Sequence, residues 1–413
     1  MESWKSFKLG EVTEVIDCPH STPIWTDSGI MVIRSSNVRA GRLNFEKVSF
    51  TNETHYLDRT RRAKPKAGDL VLTREAPMGE VCIIPENLKC CLGQRVVLLQ
   101  SIGKIDPKFL LYALLSPAIQ HKIKANEGTG STVSNFRIPD IKKLEIIAPE
   151  SLPEQEEIAS ILSSLDDKIE VNLRMNQILQ DIAQAIFKEW FIDFKFPRFE
   201  GKLADGVPSG WKKKKLSDLI SIKHGFAFKG EFFKDEETED VLVTPGNFKI
   251  GGGFNYSKFK YYEGQIPKDY LLSRDDLIVT MTDLSKEGDT LGYPALVPDI
   301  SGKRLLHNQR IGKILFNDEA SIKHYLFWVM RQSDYRHFVL GSATGSTVKH
   351  TSPSRICDFE IIVPDNDCLA QFESIAGSLI QKEQENLFEN GILLQLRETL
   401  LPKLMSGKIE VKA

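Results

Sequence analysis

The sequence lacks several features that define common classes of protein. No apolar run reaches the roughly 18 residues that a membrane-spanning helix requires, and the first residues contain no apolar signal-peptide core. The six cysteines form no Cys-x-x-Cys pair, so neither a disulfide framework nor a paired-cysteine metal site is expected. The triplet Gly251-Gly252-Gly253 lacks the surroundings of a phosphate-binding loop. We expect a cytoplasmic protein with reduced cysteines and no metal.

The length and the charge distribution indicate more than one domain. A chain of 413 residues is too long for one ordinary domain, and its 41% apolar and 27% charged residues are typical of a globular protein. The net charge of −2 hides a local pattern. Residues 1–150 contain 21 Lys and Arg against 17 Asp and Glu, whereas residues 151–200 contain 5 against 10. A mildly basic segment can bind nucleic acid if its basic groups face one groove, although charge alone does not establish such binding.

A twelve-residue phrase occurs twice in the chain, 214 positions apart. Lys, Asn, Leu, Asn, Ile and Leu occupy the same six places in residues 168–179 and 382–393. Each copy lies in a long segment whose apolar residues recur every three or four positions, which is the spacing of an amphipathic helix. Asparagines interrupt both apolar stripes, and a polar residue inside such a seam fixes its register at a cost in stability. We therefore predict two long helices that pack antiparallel as a coiled coil.

The repeat extends into the segments that precede the helices. Matching phrases are Trp4-Lys5 and Trp211-Lys212, residues 68–73 and 275–280, Gln94-Arg95 and Gln309-Arg310, residues 129–133 and 344–348, and residues 145–149 and 360–364. Short β-branched runs bounded by Gly, Pro, Asn and Asp predict many short strands in each half. The predicted fold is therefore α+β, with a pseudo-two-fold internal repeat. The predicted boundaries are a β-rich domain at 1–150, a long helix at 151–197, a linker and second β-rich domain at 198–367, and a second long helix at 368–413.

The order of domain, helix, domain and helix resembles one known family, the specificity subunits of Type I restriction–modification systems. Three kinds of local phrase carry the resemblance: Gly206-Val-Pro-Ser-Gly-Trp211 in the linker, Pro153-Glu-Gln155 at the start of the first helix, and residues 187–194 and 400–407 at the helix ends. The resemblance covers nearly the whole chain. Residues 365–371 depart from it, because they lack the Pro-Glu-Gln form at the start of the second helix.

The resemblance implies a protein that binds double-stranded DNA and has no catalytic activity of its own. Each β-rich domain would be a target recognition domain that reads one half of a bipartite target, and the helix pair would set the spacer between the halves. The helices would also dock two modification subunits and, through them, restriction subunits with ATP-dependent translocase and nuclease activity. The chain itself is expected to bind no cofactor, because S-adenosylmethionine is expected on the modification subunits. No membrane partner is implied.

The candidate DNA-binding residues are polar, and they follow predicted strands or lie in the repeated phrases. Arginine reads guanine and asparagine reads adenine through bidentate hydrogen bonds, while hydroxyls and backbone amides bind phosphate. The candidates are Arg34, Ser36, Asn37, Thr73, Arg74, Gln94, Arg95, Thr129, Gly130, Ser131, Thr132, Asn247, Thr280, Thr282, Gln309, Arg310, Thr344, Gly345, Ser346 and Thr347. Solvated turns and internal ion pairs explain the same patterns. The difference between Arg74 and its counterpart Met281 is expected of a sequence-reading position, and equally of drift between the copies.

The candidate partner-binding residues are apolar and lie at the helix ends. Aromatic side chains dominate many protein interfaces, so these residues are candidates for docking modification subunits: Phe187, Trp190, Phe191, Leu400 and Leu404. We predict no catalytic residue and no metal ligand.

Two other functions remain open at this point. One is a coiled-coil scaffold protein that does not recognise DNA, against which the duplicated hydroxyl-rich and Gln-Arg phrases argue weakly. The other is a self-contained DNA methyltransferase. Amino-methyltransferases carry an Asn/Asp-Pro-Pro-aromatic phrase, and this sequence contains no Pro-Pro pair.

Overall fold

The computed structural model describes residues 4–125, 135–204, 206–317 and 322–411. The chain divides into two compact units. Unit 1 consists of Met1–Ile169 and Ile392–Ala413, and unit 2 consists of Glu170–Gly391. Each unit therefore contains a β-rich segment together with parts of both long helices.

Unit 1 combines short strands with short helices. Its strands are β1 (Trp4–Lys8), β2 (Thr13–Asp17), β3 (Ile30–Ile33), β4 (Val38–Arg39), β5 (Arg42–Leu43), β6 (Phe50–Thr51), β7 (Leu70–Thr73), β8 (Val81–Ile83), β9 (Cys90–Leu92), β10 (Val96–Ser101) and β11 (Glu145–Pro149). Its helices are α1 (Leu9–Val12), α2 (Glu53–Arg59), α3 (Pro107–Leu115), α4 (Pro117–Ala125), α5 (Ile138–Lys143) and the first part of α6 (Leu152–Phe187).

Two sheets form the body of unit 1. One has the strand order β2-β10-β7-β8, and its neighbouring strands are antiparallel. The other has the order β6-β3-β9, and its strands β3 and β9 are parallel. Every residue of β3 and β7 is buried, which explains why these strands are continuous apolar runs without polar alternation. Because β3 and β9 are parallel, the loops that follow them leave the same edge of the sheet.

Unit 2 has the same kinds of element. Its strands are β12 (Leu203–Ala204), β13 (Val207–Pro208), β14 (Lys212–Lys215), β15 (Ile220–His224), β16 (Phe233–Lys234), β17 (Asp240–Val243), β18 (Lys260–Tyr262), β19 (Leu271–Leu272), β20 (Leu277–Thr280), β21 (Thr282–Asp283), β22 (Pro294–Leu296), β23 (Arg304–His307), β24 (Ile311–Phe316), β25 (Lys349–His350) and β26 (Glu360–Val363). Its helices are α7 (Lys323–Val329), α8 (Ser333–Gly341), α9 (Pro353–Cys357) and α10 (Asn366–Leu404), of which α10 ends in unit 1.

The strand orders of unit 2 correspond to those of unit 1. A four-stranded antiparallel sheet has the order β15-β24-β20-β22, and a five-stranded sheet has the order β16-β18-β17-β23-β19. Strands β17 and β23 are parallel, as β3 and β9 are in unit 1. Strand β14 pairs with β26, as β1 pairs with β11. The repeated phrases at residues 68–73 and 145–149 and their counterparts at 275–280 and 360–364 therefore lie mainly in corresponding strands of the two units.

Helices α6 and α10 are antiparallel where they pair inside unit 2. Asn172 Nδ2 donates to Asn390 Oδ1 at 2.8 Å, and Asn386 Nδ2 donates to Asn176 Oδ1 at 2.8 Å. The partner number falls as the number along α6 rises, which defines the antiparallel direction. All four asparagines are buried, so the amides that interrupt the apolar stripes bond to each other. None of the helices in the described parts of the chain has an apolar stretch long enough to cross a membrane.

Candidate nucleic-acid interface

Three loops of unit 1 meet at the edge where β3 and β9 end. Gly93 N donates to Ile33 O at 2.7 Å, which joins the ends of β3 and β9. Arg74 N donates to Arg95 O at 2.8 Å, which joins the loop after β7 to the loop after β9. Ser35 Oγ donates to Ala76 O at 3.3 Å. The fold thus brings together three polar segments that are widely separated in the sequence.

These loops surround an open polar cleft of about 280 Å³. The side chains that line it are His20, Arg74, Glu75, Gln94, Arg95 and Asn135. All are polar, and most carry hydrogen-bond donors. A concave surface of this chemistry can accept the acceptor-rich edge of a base or a phosphate. We call it the unit 1 cleft.

Arg74 lies at the bottom of the unit 1 cleft, where its side chain links three segments of the chain through hydrogen bonds. Its side chain is 11% exposed. The guanidinium donates to Asp17 Oδ1 at 2.9 Å, to the Phe136 carbonyl oxygen at 3.0 Å and to Asn135 Oδ1 at 3.3 Å. With its donors directed at protein groups, Arg74 holds residues 135 and 136 against β7. This role corrects the expectation that Arg74 itself reads bases.

Arg95 is the exposed cation of the unit 1 cleft. Its side chain is 56% exposed, and its Nε lies 3.4 Å from Glu75 Oε2. Gln94 beside it donates from Nε2 to the His20 carbonyl oxygen. Arg34 lies nearby at the end of β3, with its guanidinium 5.4 Å from the centre of the exposed Trp25 ring. Gln94, Arg95 and Arg34, together with the exposed Ser36, remain candidates for DNA contact.

The corresponding edge of unit 2 shares one backbone connection with unit 1 and has different side chains. Met281 N donates to Arg310 O at 2.9 Å, as Arg74 does to Arg95. Gln309 and Arg310 are exposed, and Gln309 N donates to Phe226 O at 3.0 Å. Phe226 is 36% exposed. Phe226 is therefore a partly exposed aromatic residue beside Gln309 at this edge.

The second copy of the Thr-Gly-Ser-Thr phrase is an exposed hairpin. Thr344 and His350 exchange two backbone hydrogen bonds at 2.8 and 2.9 Å, and residues 344–347 are exposed between them. Gly345 has a φ of +95°, and a Cβ atom there would overlap the Val348 carbonyl oxygen, so this turn requires glycine. The hairpin is attached through the pairing of β25 with β21. It presents hydroxyls and backbone amides suited to phosphate. The first copy, Thr129, Gly130, Ser131 and Thr132, lies outside the described residues.

The buried asparagines Asn37 and Asn247 have a structural role. Asn37 Oδ1 accepts from Arg34 N at 3.1 Å, while its Nδ2 donates to the carbonyl oxygens of Asn44 and Lys47 at 3.0 and 3.1 Å. Asn247 makes the same three kinds of bond in unit 2. Asn37 and Asn247 are 1% and 0% exposed, and the amide of each stabilises the loop around it. We therefore remove both from the DNA-binding candidates.

Three of the candidate threonines are also buried. Thr73 Oγ1 accepts from Glu80 N at 2.9 Å, Thr280 Oγ1 donates to Thr282 O at 2.9 Å, and Thr282 Oγ1 lies 3.1 Å from His350 Nδ1. Each is less than 5% exposed. Their hydroxyls fix the loops from inside, which corrects the expectation that they face DNA.

The candidate partner-binding residues are parts of the protein's own cores. In unit 2, the Phe191 ring packs with its centre 4.8 Å from Tyr325 and 4.9 Å from Phe372. Phe187, Trp190 and Phe191 are at most 8% exposed. In unit 1, Leu404 is 1% exposed and Leu400 packs against the same core. The helix ends are therefore corrected from docking surfaces to structural anchors.

Several residues of the site were not predicted from the sequence. Glu75, His20 and Asn135 line the unit 1 cleft, and Trp25 and Phe226 are exposed aromatic residues at the two edges. Glu75 directly follows Arg74, so its position after a predicted strand could have identified it as a candidate site residue. No group of three or more His, Cys, Asp or Glu side chains in the described ranges could hold a metal ion.

The comparisons with known proteins agree with this architecture. Residues 1–181 match the model of the Type I restriction modification DNA specificity domain family. The chain is 28% identical over 360 residues to the Type I restriction enzyme MjaIX specificity subunit of Methanocaldococcus jannaschii, covering 85% of this chain and 79% of that one. It is 23% identical over 487 residues to the HindI specificity subunit of Haemophilus influenzae, covering 99% and 100%.

A solved structure shares the fold. The crystal structure of the Type I restriction–modification S subunit from M. genitalium matches with a TM-score of 0.62 at 17% identity, over 97% of this chain and 96% of that one. The family match over residues 1–181 and the two relatives make the chain similar to the specificity subunits of Type I restriction–modification systems.

Proposed function

We propose that the chain reads a bipartite DNA target, with one half recognised by each unit. The observation that carries this proposal is the corresponding strand edge in both units, where three loops bring exposed polar side chains together. The same backbone bond links the loops in each unit, from Arg74 to Arg95 and from Met281 to Arg310. The side chains on this shared frame differ, as two different half-sites require. The chain acts as a reader, and methyl transfer belongs to modification subunits that carry S-adenosylmethionine.

DNA binding is expected to depend steeply on salt. Each phosphate neutralised by Lys or Arg contributes about 0.9 to the slope of log K against log salt concentration. The full chain, alone and with modification subunits, is titrated with a duplex whose target comes from methylation mapping in the host. We expect a preference of roughly a thousandfold or more over a scrambled duplex. Assembly with the modification subunits without any salt-dependent DNA binding would instead establish the scaffold function.

We also propose that modification subunits dock on the exposed side of α6. Val171, Met175, Ile178 and Ile182 are 36–57% exposed, at spacings of four, three and four residues. This spacing places them on one face of the helix. Exposed contiguous apolar surface marks interaction sites, and here it belongs to unit 2. Restriction subunits would join the complex through the modification subunits.

Ile178→Glu is expected to weaken binding of the modification subunit by roughly tenfold or more, because it would bury a charge in an apolar contact. The matched control is Leu173→Glu. Leu173 is 50% exposed and lies on another side of the same helix. Binding is measured by calorimetry or native mass spectrometry. Equal effects of both variants would count against this docking surface.

We further propose that the helix pair sets the unread spacer as a coiled coil between two repeated recognition domains. The corresponding strand orders of the units and the antiparallel asparagine contacts support this proposal. Inserting seven residues into each helix, after Ile169 and after Gly391, adds roughly 10 Å at 1.5 Å per residue. At about 3.4 Å per base pair, the spacer should lengthen by roughly three base pairs. Methylation mapping in a host that carries the variant measures the spacer. An unchanged spacer would disprove the proposal that the helix pair sets its length.

A further inference from the structure

The unit 1 cleft contains an ion pair that stability does not explain. Glu75 and Arg95 have side chains 23% and 56% exposed, with Oε2 and Nε 3.4 Å apart. Solvent-exposed ion pairs contribute little to folding, because water screens them and their side chains lose entropy. Both residues nevertheless lie on loops whose backbones are joined by the hydrogen bond from Arg74 N to Arg95 O. The two side chains are therefore presented together.

The backbone of the two loops that carry the ion pair adopts positive φ angles, which residues with a side chain disfavour. Arg95 has a φ of +67° and Ala76, next to Glu75, has a φ of +43°. Residues other than glycine seldom adopt positive φ, and such conformations cluster at functional sites, where the surrounding structure enforces them. The strain lies on the two loops that carry the ion pair.

The chemistry of the pair matches one base pair. In the major groove guanine offers two acceptors, O6 and N7, to a bidentate arginine, and the cytosine paired with it offers the N4 amino group to a carboxylate. We propose that Arg95 and Glu75 together read a single G·C pair in the half-site of unit 1. This inference rests on the proposed function and assigns the base pair recognised by these two residues.

The other groups around the cleft support this division of roles. Arg74 is engaged with Asp17, Asn135 and the Phe136 carbonyl, so it holds the floor and leaves the reading to Arg95. In unit 2 the position of Glu75 is taken by Thr282, which is 4% exposed and contacts His350. The exposed Arg310 of unit 2 therefore has no carboxylate at the corresponding place. The G·C reader belongs to unit 1 alone.

The test compares Glu75→Ala and Arg95→Ala with the unaltered chain in the complex with modification subunits. The substrates are duplexes in which each base pair of the mapped target is replaced in turn. The readout is the ratio of methylation rates on the original and the replaced duplex. Both variants should lose roughly 10- to 100-fold of discrimination at the same single G·C position, with every other position retained. Glu53→Gln, which breaks the exposed pair with Lys89, is the control and should change nothing.

The possible outcomes separate the inference from the proposed function. Discrimination retained at every position by both variants would overturn the inference, because losing a phosphate contact leaves the ratio of rates on the two duplexes unchanged. An equal loss at all positions would also overturn it, since a structural role predicts that pattern. Losses at two different base pairs would overturn the shared reading. An unaltered complex that methylates no bipartite sequence would overturn the proposed function itself.

Discussion

Phe191→Ala is expected to lower the free energy of unfolding of unit 2 by about 3–5 kcal/mol, the usual cost of removing a buried aromatic ring. Phe191 is 6% exposed and packs against Phe187, Trp190, Trp211, Tyr325 and Phe372. Its removal leaves a cavity at the place where the end of α6, α7 and the start of α10 meet. Urea unfolding followed by the fluorescence of Trp190, Trp211 and Trp328 measures the loss. In a thermal scan it corresponds to roughly 10 °C.

The control for this prediction is Ile178→Ala on the same helix. Its side chain is 57% exposed, so the expected change is within about 0.5 kcal/mol. A Phe191→Ala variant with unchanged stability and impaired partner binding would contradict this prediction and indicate that Phe191 binds the modification subunits. The structure predicts the opposite separation, in which Phe191 affects folding and Ile178 affects assembly.

His307 is expected to lower the stability of unit 2 as the pH decreases from about 6.5 to 4. Burial lowers the pKa of His307 from 6.5 to about 4, with the nearby Lys313 and Lys223 adding to the shift. Neutral His307 donates from Nε2 to the Ile311 carbonyl oxygen at 2.9 Å. Between about pH 6.5 and pH 4, His307 is protonated in the unfolded chain and neutral in the folded chain. Because the unfolded chain binds more protons, the free energy of unfolding decreases as the pH is lowered through this range. Above pH 6.5 His307 is neutral in both states, so it causes no loss of stability there.

The magnitude follows from the shift in pKa. A difference of one unit corresponds to about 1.4 kcal/mol, so His307 contributes roughly 2–3 kcal/mol to the loss by pH 4.5. His307→Gln should flatten the dependence of unfolding free energy on pH in this window, whatever its effect at pH 7.5. Replacement of the exposed His337 by Gln is the matched control and should leave the dependence as it is. Parallel pH profiles for His307→Gln and the unaltered chain would refute the assignment.

Individual strands were the part of the fold that sequence could predict. The run Leu70–Thr73 and its counterpart Leu277–Thr280 form central strands. These predictions depend on local pattern. A buried strand and an amphipathic helix each leave a periodicity in the sequence that survives duplication.

The roles of individual polar residues could not be predicted in the same way. An asparagine after a strand has the same amide whether it closes a turn or reads adenine, and Asn37 and Asn247 close turns. Arg74 was predicted to contact DNA, but its partners Asp17 and Asn135 lie 57 and 61 residues away in sequence. Only the fold shows that its donors are directed inward. The aromatic residues at the end of α6 likewise needed the fold to reveal what covers them.

The buried asparagines of α6 and α10 have a consequence for ancestry. Asn172 corresponds to Asn386 in the repeat and Asn176 to Asn390, yet the observed bonds join Asn172 to Asn390 and Asn176 to Asn386. Each bond thus connects the first asparagine of one copy with the second asparagine of the other. A single copy of the repeated phrase contains both halves of this contact, so two identical single-copy chains could pair through it. Duplication and fusion of such a chain would need no new helix interface, whatever the sequences of the two β-rich segments.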